Sequence, residues 1–98
     1  MRTKPPPGEY QVTVNGEIII LHVTEEGAWY EDPLGKMIHY FWIPLSDGPV
    51  LMSITKGGAI FIEFTDEEIG DDMWRVRMII FDNETGQSEV SEGHYAPV

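Results

Sequence analysis

The side chains that could bind a metal or transfer a proton are three histidines and seventeen acidic residues. His22, His39 and His94 show neither the H-x-H nor the H-x-x-x-H spacing that brings two imidazoles to one metal ion. The chain has no cysteine, so thiolate ligands, cysteine nucleophiles and disulfides are excluded. It has no P-loop and no G-x-G-x-x-G motif. We therefore expect neither a metal site nor a cofactor, and we interpret His22 and His39 as ordinary strand residues.

Adjacent carboxylates occur at several places, but their positions do not suit catalysis. Glu25-Glu26, Glu31-Asp32 and Asp71-Asp72 fall in turn sequences, whereas a hydrolytic acid–base pair needs burial to separate its two pKa values. The sequence has no G-x-S-x-G motif that would offer a serine nucleophile. It therefore predicts no catalytic residue and favours a protein that is not an enzyme.

The densest group of acids lies in one short segment. Six of them occur within ten residues: Glu63, Asp66, Glu67, Glu68, Asp71 and Asp72. Their order does not match the EF-hand loop, which places its ligands at alternate positions around a glycine. Two interpretations of this acidic patch are open: a solvated turn, or a surface that mimics phosphates and blocks a basic, nucleic-acid-binding enzyme. Glu63 interrupts an apolar run, so it is either an outward residue or a buried acid.

The formal net charge of -11 limits the class of partner. Direct binding to nucleic acid or to an anionic membrane needs cations, of which this chain has few, whereas a basic protein partner is electrostatically favoured. The first ten residues, MRTKPPPGEY, lack the apolar segment of a signal peptide. The longest apolar run, from Met37 to Leu45, is too short to span a bilayer. We expect a cytoplasmic protein, or one incorporated into an assembled particle.

Regularly spaced turn sequences indicate an all-β fold. Asn15-Gly16 and Gly57-Gly58 are two-residue hairpin signals, and other Gly-, Pro- or Asp-rich turns follow along the chain. Runs rich in β-branched and aromatic residues lie between them. Strands are predicted near residues 9–14, 17–24, 28–31, 36–44, 50–56, 59–65, 73–82 and 87–91. Consecutive hairpins of this kind form a small antiparallel meander, which closes into a barrel or folds as a two-sheet sandwich.

The remaining segments are a short helical signal and the two termini. Thr65 and Glu68 have the spacing of a capping box, so a single helical turn is expected near residues 66–69. The three consecutive prolines predict an extended N-terminal arm over residues 1–8. A single β domain is expected over residues 9–92, followed by a C-terminal tail over residues 93–98.

The predicted strand over residues 36–44 is apolar on both faces, because Ile38, Tyr40 and Trp42 alternate with Met37 and Phe41. The strands over 17–24 and 73–82 behave similarly, although a single core can bury only one face of each. Either an arm or loop covers the second face, or that face contacts a partner. Interface cores are rich in Trp, Tyr and Arg. The predicted partner-contact residues are Tyr40, Trp42, Trp74, Arg75 and Arg77.

These observations favour a non-enzymatic structural or assembly protein that acts through protein–protein contacts, with copies of itself as a homo-oligomer or with a larger assembly. The general profile is similar to that of small acidic β-proteins of viruses and mobile elements, although no motif carries this likeness, and it suggests a virion component of the capsid or tail. The alternative is an acidic inhibitor or immunity-type protein that blocks a basic nucleic-acid-binding enzyme.

Overall fold

The computed structural model describes residues 2–98, which form eight antiparallel strands. Each strand pairs with the next in the sequence, and β8 pairs with β1, so that the sheet closes into a barrel. The predicted antiparallel meander is confirmed, and of the two predicted forms the chain adopts the barrel. The strands are β1 (Gly8–Val14), β2 (Glu17–Val23), β3 (Gly27–Glu31), β4 (Met37–Ile43), β5 (Val50–Thr55), β6 (Gly58–Gly70), β7 (Met73–Asp82) and β8 (Ser88–Pro97).

One predicted turn is shifted by a residue: the β5–β6 hairpin turns at Lys56-Gly57 rather than Gly57-Gly58, because Gly58 already pairs with Thr55. Two other predicted turns connect the strands by specific local chemistry. Asn15 and Gly16 have φ angles of 53° and 75°, the left-handed conformations that a type I′ hairpin turn requires. In the turn from β3 to β4, Oδ1 of Asp32 accepts hydrogen bonds from the backbone N–H groups of Leu34 and Lys36, at 2.9 and 2.8 Å. In the β1–β2 and β3–β4 hairpins, the turn residues that the sequence indicates are therefore the ones that connect the strands.

The core lies inside the barrel and is formed by alternate residues of the strands. Tyr10, Val12 and Val14 face inward along β1, as their alternation with polar residues indicates. Phe64 is fully buried, and its ring lies 4.9 Å from the ring of Tyr95 in an edge-to-face arrangement. The side chains with the lowest exposure are Phe64, Leu21, Leu51, Ile62, Val12 and Val76.

The expected helical turn near residues 66–69 does not form. Instead β6 continues to Gly70 beside β7, with register shifts between Phe64 and Glu68 and between Glu68 and Gly70. The Thr65 hydroxyl still accepts a hydrogen bond from the Glu67 N–H, at 3.3 Å, but it also donates to the Arg75 carbonyl, at 2.8 Å. Pairing with β7 prevails because an isolated helical turn fixes several residues for very few hydrogen bonds.

The expected C-terminal tail over residues 93–98 is also incorrect, because most of it is the second half of β8. Gly93 to Pro97 pair with β1, and this pairing closes the barrel. Pro97 stands opposite Tyr10 at the end of the strand, where a missing N–H is tolerated. A Cβ at Gly93 would lie 1.9 Å from the Thr13 carbonyl oxygen, so only glycine permits this close approach. Gly93 and Pro97 therefore look like residues of a flexible tail in the sequence, although both belong to a paired strand in the structure.

The N-terminal arm, over residues 2–7, packs against its own barrel. The Thr3 N–H donates to the Phe64 carbonyl at 2.8 Å, and the Tyr10 hydroxyl donates to the Pro6 carbonyl at 2.6 Å. Lys4 Nζ donates to the Glu25 carbonyl, in the turn between β2 and β3, at 2.7 Å. The arm thus covers one end of the barrel, which we call the arm end. Within residues 2–98, no helix has the length and hydropathy that crossing a bilayer requires.

Candidate functional site

In β4, the face that was predicted to contact a partner is the face that points into the barrel. Tyr40 is only 2% exposed and belongs to the core, and Trp42 points to the same side. Phe41, which lies between them, faces the solvent. The prediction that Tyr40 contacts a partner is therefore wrong, because the barrel interior takes this face of the strand.

Trp42 and Trp74, also predicted as contact residues, are half-buried and pack against the core. The Trp42 indole N–H donates to the Thr24 carbonyl at 3.0 Å, and Lys4 Nζ lies 5.5 Å from the centre of the Trp42 ring. The ring of Trp74 lies 5.8 Å from that of Tyr95. The chain's own core and arm pack against these side chains, which therefore belong to the inner face of the sheet and not to its second, outer face.

The outer surface of β4–β8 carries two neighbouring rows of apolar side chains. The strand register joins the first row through Phe41, Met52, Phe61, Ile79 and Val90. The second row contains Ile54, Ala59 and Phe81. We call these side chains the outer apolar rows. Phe41, Ile54 and Val90 are 62%, 78% and 58% exposed, and contiguous exposed apolar surface is typical of interaction sites once it exceeds a few hundred Å².

Arg75 and Arg77, the last two predicted contact residues, lie on the outer surface beside these rows. In the register, Arg77 stands opposite Glu63 on one side and Glu92 on the other. Its Nε donates to Glu92 Oε2 at 3.2 Å, and Arg75 Nε donates to Glu67 Oε2 at 2.9 Å. Opposite charges are therefore paired along this border, which weakens local repulsion between two copies of an acidic protein.

The six residues of the acidic patch do not form a single group. Glu63 faces outward beneath the arm, where Arg2 Nη1 donates to its Oε2 at 2.7 Å, and Glu67 is paired with Arg75. The other four are exposed, and none of them forms an ion pair within residues 2–98: Asp66, Glu68, Asp71 and Asp72. An acidic surface thus remains at the end of β6 and in the turn to β7.

The histidines lie on three strands and do not converge. The His22 ring stacks on Trp29 with 3.9 Å between ring centres, and its Nδ1 lies 3.6 Å from Glu9 Oε1. His39 stands opposite Trp29 in β3, and His94 lies on β8. His22 and His39 are strand residues, as predicted. Among residues 2–98, no three His, Asp or Glu side chains come together as metal ligands.

The barrel is open at the end opposite the arm. A cavity of about 250 Å³ lies there. It is lined by Asn15 and Glu17 and otherwise by apolar side chains and two tyrosines of the inner wall, among them Val14, Ile19, Tyr30, Tyr40, Met78 and Ile80. Ile80 alternates with the inward residues Val76 and Met78 and is nevertheless 42% exposed. An eight-stranded barrel is just wide enough for its side chains to fill it or for one small ligand. The interior at this open end is not filled.

Tyr30 and Tyr40 bring their phenol groups to the wall of this cavity, which the polar residues Asn15 and Glu17 also line. Burial raises the pKa of the Tyr40 hydroxyl far above its ordinary range, and the neighbouring Tyr30 adds to this shift. Burial, and after it the Asp32 carboxylate, raises the pKa of Tyr30. Both phenols therefore stay protonated at neutral pH and can take part only in neutral hydrogen bonds, not in phenolate chemistry.

The fold and these surfaces define a class: a small acidic antiparallel barrel with an apolar outer surface and an open interior at one end. Comparison with protein-family models, with curated proteins and with solved structures finds no match for this chain. Function is therefore argued from the surfaces themselves.

Sequence reasoning missed the outer apolar rows because they combine residues from five strands. Each strand taken alone offers two apolar faces, and the side that enters the core depends on how the whole sheet closes. The available signal was the strict alternation in β1, whose inward residues the sequence identified correctly. Extending that alternation from strand to strand requires the register, which the sequence specifies only at the short hairpins.

Proposed function

We propose that this chain is a non-enzymatic assembly protein that binds copies of itself through the outer apolar rows. The observation that carries the proposal is the register that joins Phe41, Met52, Phe61, Ile79 and Val90 across five strands on the solvent side. A larger shell or tube, such as the capsid or tail of a virus particle, is the kind of assembly that we propose for it.

The composition of this surface and its paired charges support self-association. A stable interface buries about 800 Å² per partner, with an apolar core and a polar rim. The outer apolar rows supply an aromatic and aliphatic centre, and the ion pairs of Arg75 and Arg77 supply a rim. Because these cations stand at the rim, two copies can approach here in spite of the net charge of -11.

Size-exclusion chromatography with light scattering tests the proposal over a range of protein concentrations. We expect the protein to exceed its monomer mass of 11.1 kDa, and the double variant Phe41→Ser/Ile54→Ser to return to that mass. Both side chains are mostly exposed, so the melting temperature should change little. Leu34→Ser is the control, because Leu34 is exposed in the turn from β3 to β4, away from the rows. A monomeric wild type, or a variant that still associates, would overturn the proposal.

The second candidate function is an acidic inhibitor or immunity-type protein, and it rests on the four unpaired acids at the end of β6 and in the next turn. If these acids dock a basic enzyme, its association rate should fall steeply with added salt, because exposed charges are screened beyond ~10 Å at 0.1 M. Replacing Asp71 and Asp72 with asparagine and serine should slow the association. An association rate that does not respond to salt would exclude this candidate.

A further inference from the structure

The barrel has a weak seam between β2 and β3. These strands are joined by two residue pairs, His22 with Trp29 and Val23 with Ala28. By contrast, β2 pairs with β1 along its whole length, and β3 pairs with β4 at each of its residues. The first five of the seven residues of β2, from Glu17 to Leu21, therefore have no strand of residues 2–98 on their β3 side. The two strands separate toward the open end of the barrel.

Antiparallel geometry identifies the backbone groups that face this seam. Val14 and Glu17 flank a two-residue turn, so their N–H and C=O groups bond to each other. Alternation then turns the backbone groups of Ile19 and Leu21 toward β1 and those of Ile18 and Ile20 toward the seam. No strand within residues 2–98 stands opposite Ile18 or Ile20 on that side. Two N–H and two C=O groups thus form an open edge.

The open edge adjoins the unfilled interior. Glu17, Ile19 and Tyr30 line both the cavity of about 250 Å³ inside the barrel and the groove along the seam. On the outer side of the same edge, Ile18 and Ile20 are exposed. The unpaired edge of β2 and the cavity therefore lie at the same place. A single added strand could pair with the edge and also place side chains in the cavity.

The groove along the seam is negatively charged, which favours a positively charged segment as its ligand. Glu17, Glu31 and Asp32 line it, and no lysine or arginine does. A strand added here would place alternate side chains inward, against Ile19 and the other apolar residues of the cavity. Its remaining side chains would lie over Ile18 and Ile20, where the stem of a lysine can pack while its ammonium group reaches the carboxylates.

We propose that the β2 edge binds an extended, basic segment of a partner protein by strand addition, with alternating apolar residues inserted into the open end of the barrel. A second copy of this chain does not fit. Pairing of two β2 edges would bring two acidic grooves together. The arm of a second copy could not be the added strand, because its three consecutive prolines have no N–H to donate. This surface is separate from the outer apolar rows, so the inference does not depend on the proposed self-assembly.

The first test uses amide hydrogen exchange measured by NMR on the free protein. We expect the amides of Ile18 and Ile20 to exchange at least tenfold faster than those of Ile19 and Leu21, which bond to β1. If the Ile18 and Ile20 amides are as protected as their neighbours, the seam is closed in solution and the proposal is overturned.

The second test adds a terminally blocked heptapeptide of alternating lysine and valine. We expect this peptide to slow exchange at Ile18 and Ile20, whereas the matching glutamate–valine peptide should not bind. In a strand, alternate N–H groups point to opposite sides, so only one N-methylated set should face β2. We therefore compare two peptides, one N-methylated at every lysine and one at every valine. One of the two should lose binding and the other should keep it. Equal binding of both methylated peptides would show charge attraction without strand addition and would overturn the proposal.

Variants locate the peptide on the protein. Ile18→Pro removes an N–H that faces the seam and leaves the bonds to β1 in place, so binding should weaken at least tenfold. Glu17→Gln/Glu31→Gln should weaken it without touching the backbone edge, and this pair serves if the proline variant fails to fold. Phe41→Ser is the control and should bind the peptide as the wild type does. Wild-type affinity in a folded proline variant or in the charge variant would contradict the assignment.

Discussion

The ion pair between Arg2 and Glu63 should stabilise the whole barrel, although Arg2 lies in the arm. Its guanidinium donates to Glu63 Oε2 at 2.7 Å, to the Gly48 carbonyl and to Asp47. The side chains of Arg2 and Glu63 are only 14% and 12% exposed. Removing one partner of a buried ion pair costs about 3–5 kcal/mol, because the other charge is left buried.

Because Glu63 keeps some contact with solvent, we expect Arg2→Met to lose less than this range, about 2–3 kcal/mol of unfolding free energy. In a domain of this size, 1 kcal/mol corresponds to about 4–8 °C in melting temperature, so the loss should exceed about 8 °C. Thermal and urea unfolding, followed by circular dichroism, measure both quantities. In the double variant with Glu63→Gln, the two losses should not add, because each substitution removes the same contact.

The matched control is Arg77→Met, which makes the same change in an exposed ion pair with Glu92. An exposed pair contributes about 0–1 kcal/mol, so the control should melt close to the wild type. The reasoning is refuted if Arg2→Met melts within about 2 °C of the wild type, or if the control loses as much. It is also refuted if the losses from Arg2→Met and Glu63→Gln are additive.

Three further substitutions test the core, the closure of the barrel and its response to alkali. Phe64→Ala should cost about 3–5 kcal/mol in urea unfolding, since Phe64 is fully buried among aromatic rings; a loss below about 1 kcal/mol would contradict its central position. Gly93→Ala should prevent closure of β8 on β1, seen as loss of near-ultraviolet dichroism, because its Cβ would meet the Thr13 carbonyl at 1.9 Å; a native-like variant would show that this approach is not required. Burial raises the pKa of all four tyrosines in the folded protein. The free energy of unfolding should therefore hold below the ordinary tyrosine pKa of about 10 and fall above it, by up to about 1.4 kcal/mol per pH unit per tyrosine. This fall should be less steep in Tyr40→Phe. An unchanged slope in that variant would count against burial as the cause.

Local sequence signals predicted most of the fold, since each depends on residues close in the chain. Asn15-Gly16 specifies a turn with positive φ, and this turn sets the register of β1 and β2. Signals that depend on distant pairing failed. Thr65 and Glu68 have a capping spacing, but β7 lies alongside and extends β6 instead. Gly93 and Pro97 resemble a tail until β1 is placed beside them.

The candidate surfaces were predictable in kind but not in place. The excess of apolar strand residues did indicate apolar surface outside the core, and the outer apolar rows supply it. Which face stays outside was decided by closure of the barrel, which took Tyr40 inward and left Phe41 out. The seam had no local signal, because β2 reads as a continuous apolar strand and its missing partner is a property of the whole sheet.

The positions of the cations separate the two proposed surfaces electrostatically. Arg75 and Arg77 are ion-paired beside the outer apolar rows, whereas carboxylates without a lysine or arginine among them line the seam. Salt screens exposed charges beyond about 8–10 Å at 0.10–0.15 M. Raising the sodium chloride concentration should therefore weaken binding of the lysine–valine peptide steeply and leave self-association nearly unchanged. Peptide titration and light scattering at low and high salt measure the two responses. If self-association weakened as steeply as peptide binding, charge rather than apolar contact would hold the copies together, and the outer apolar rows would not be their interface.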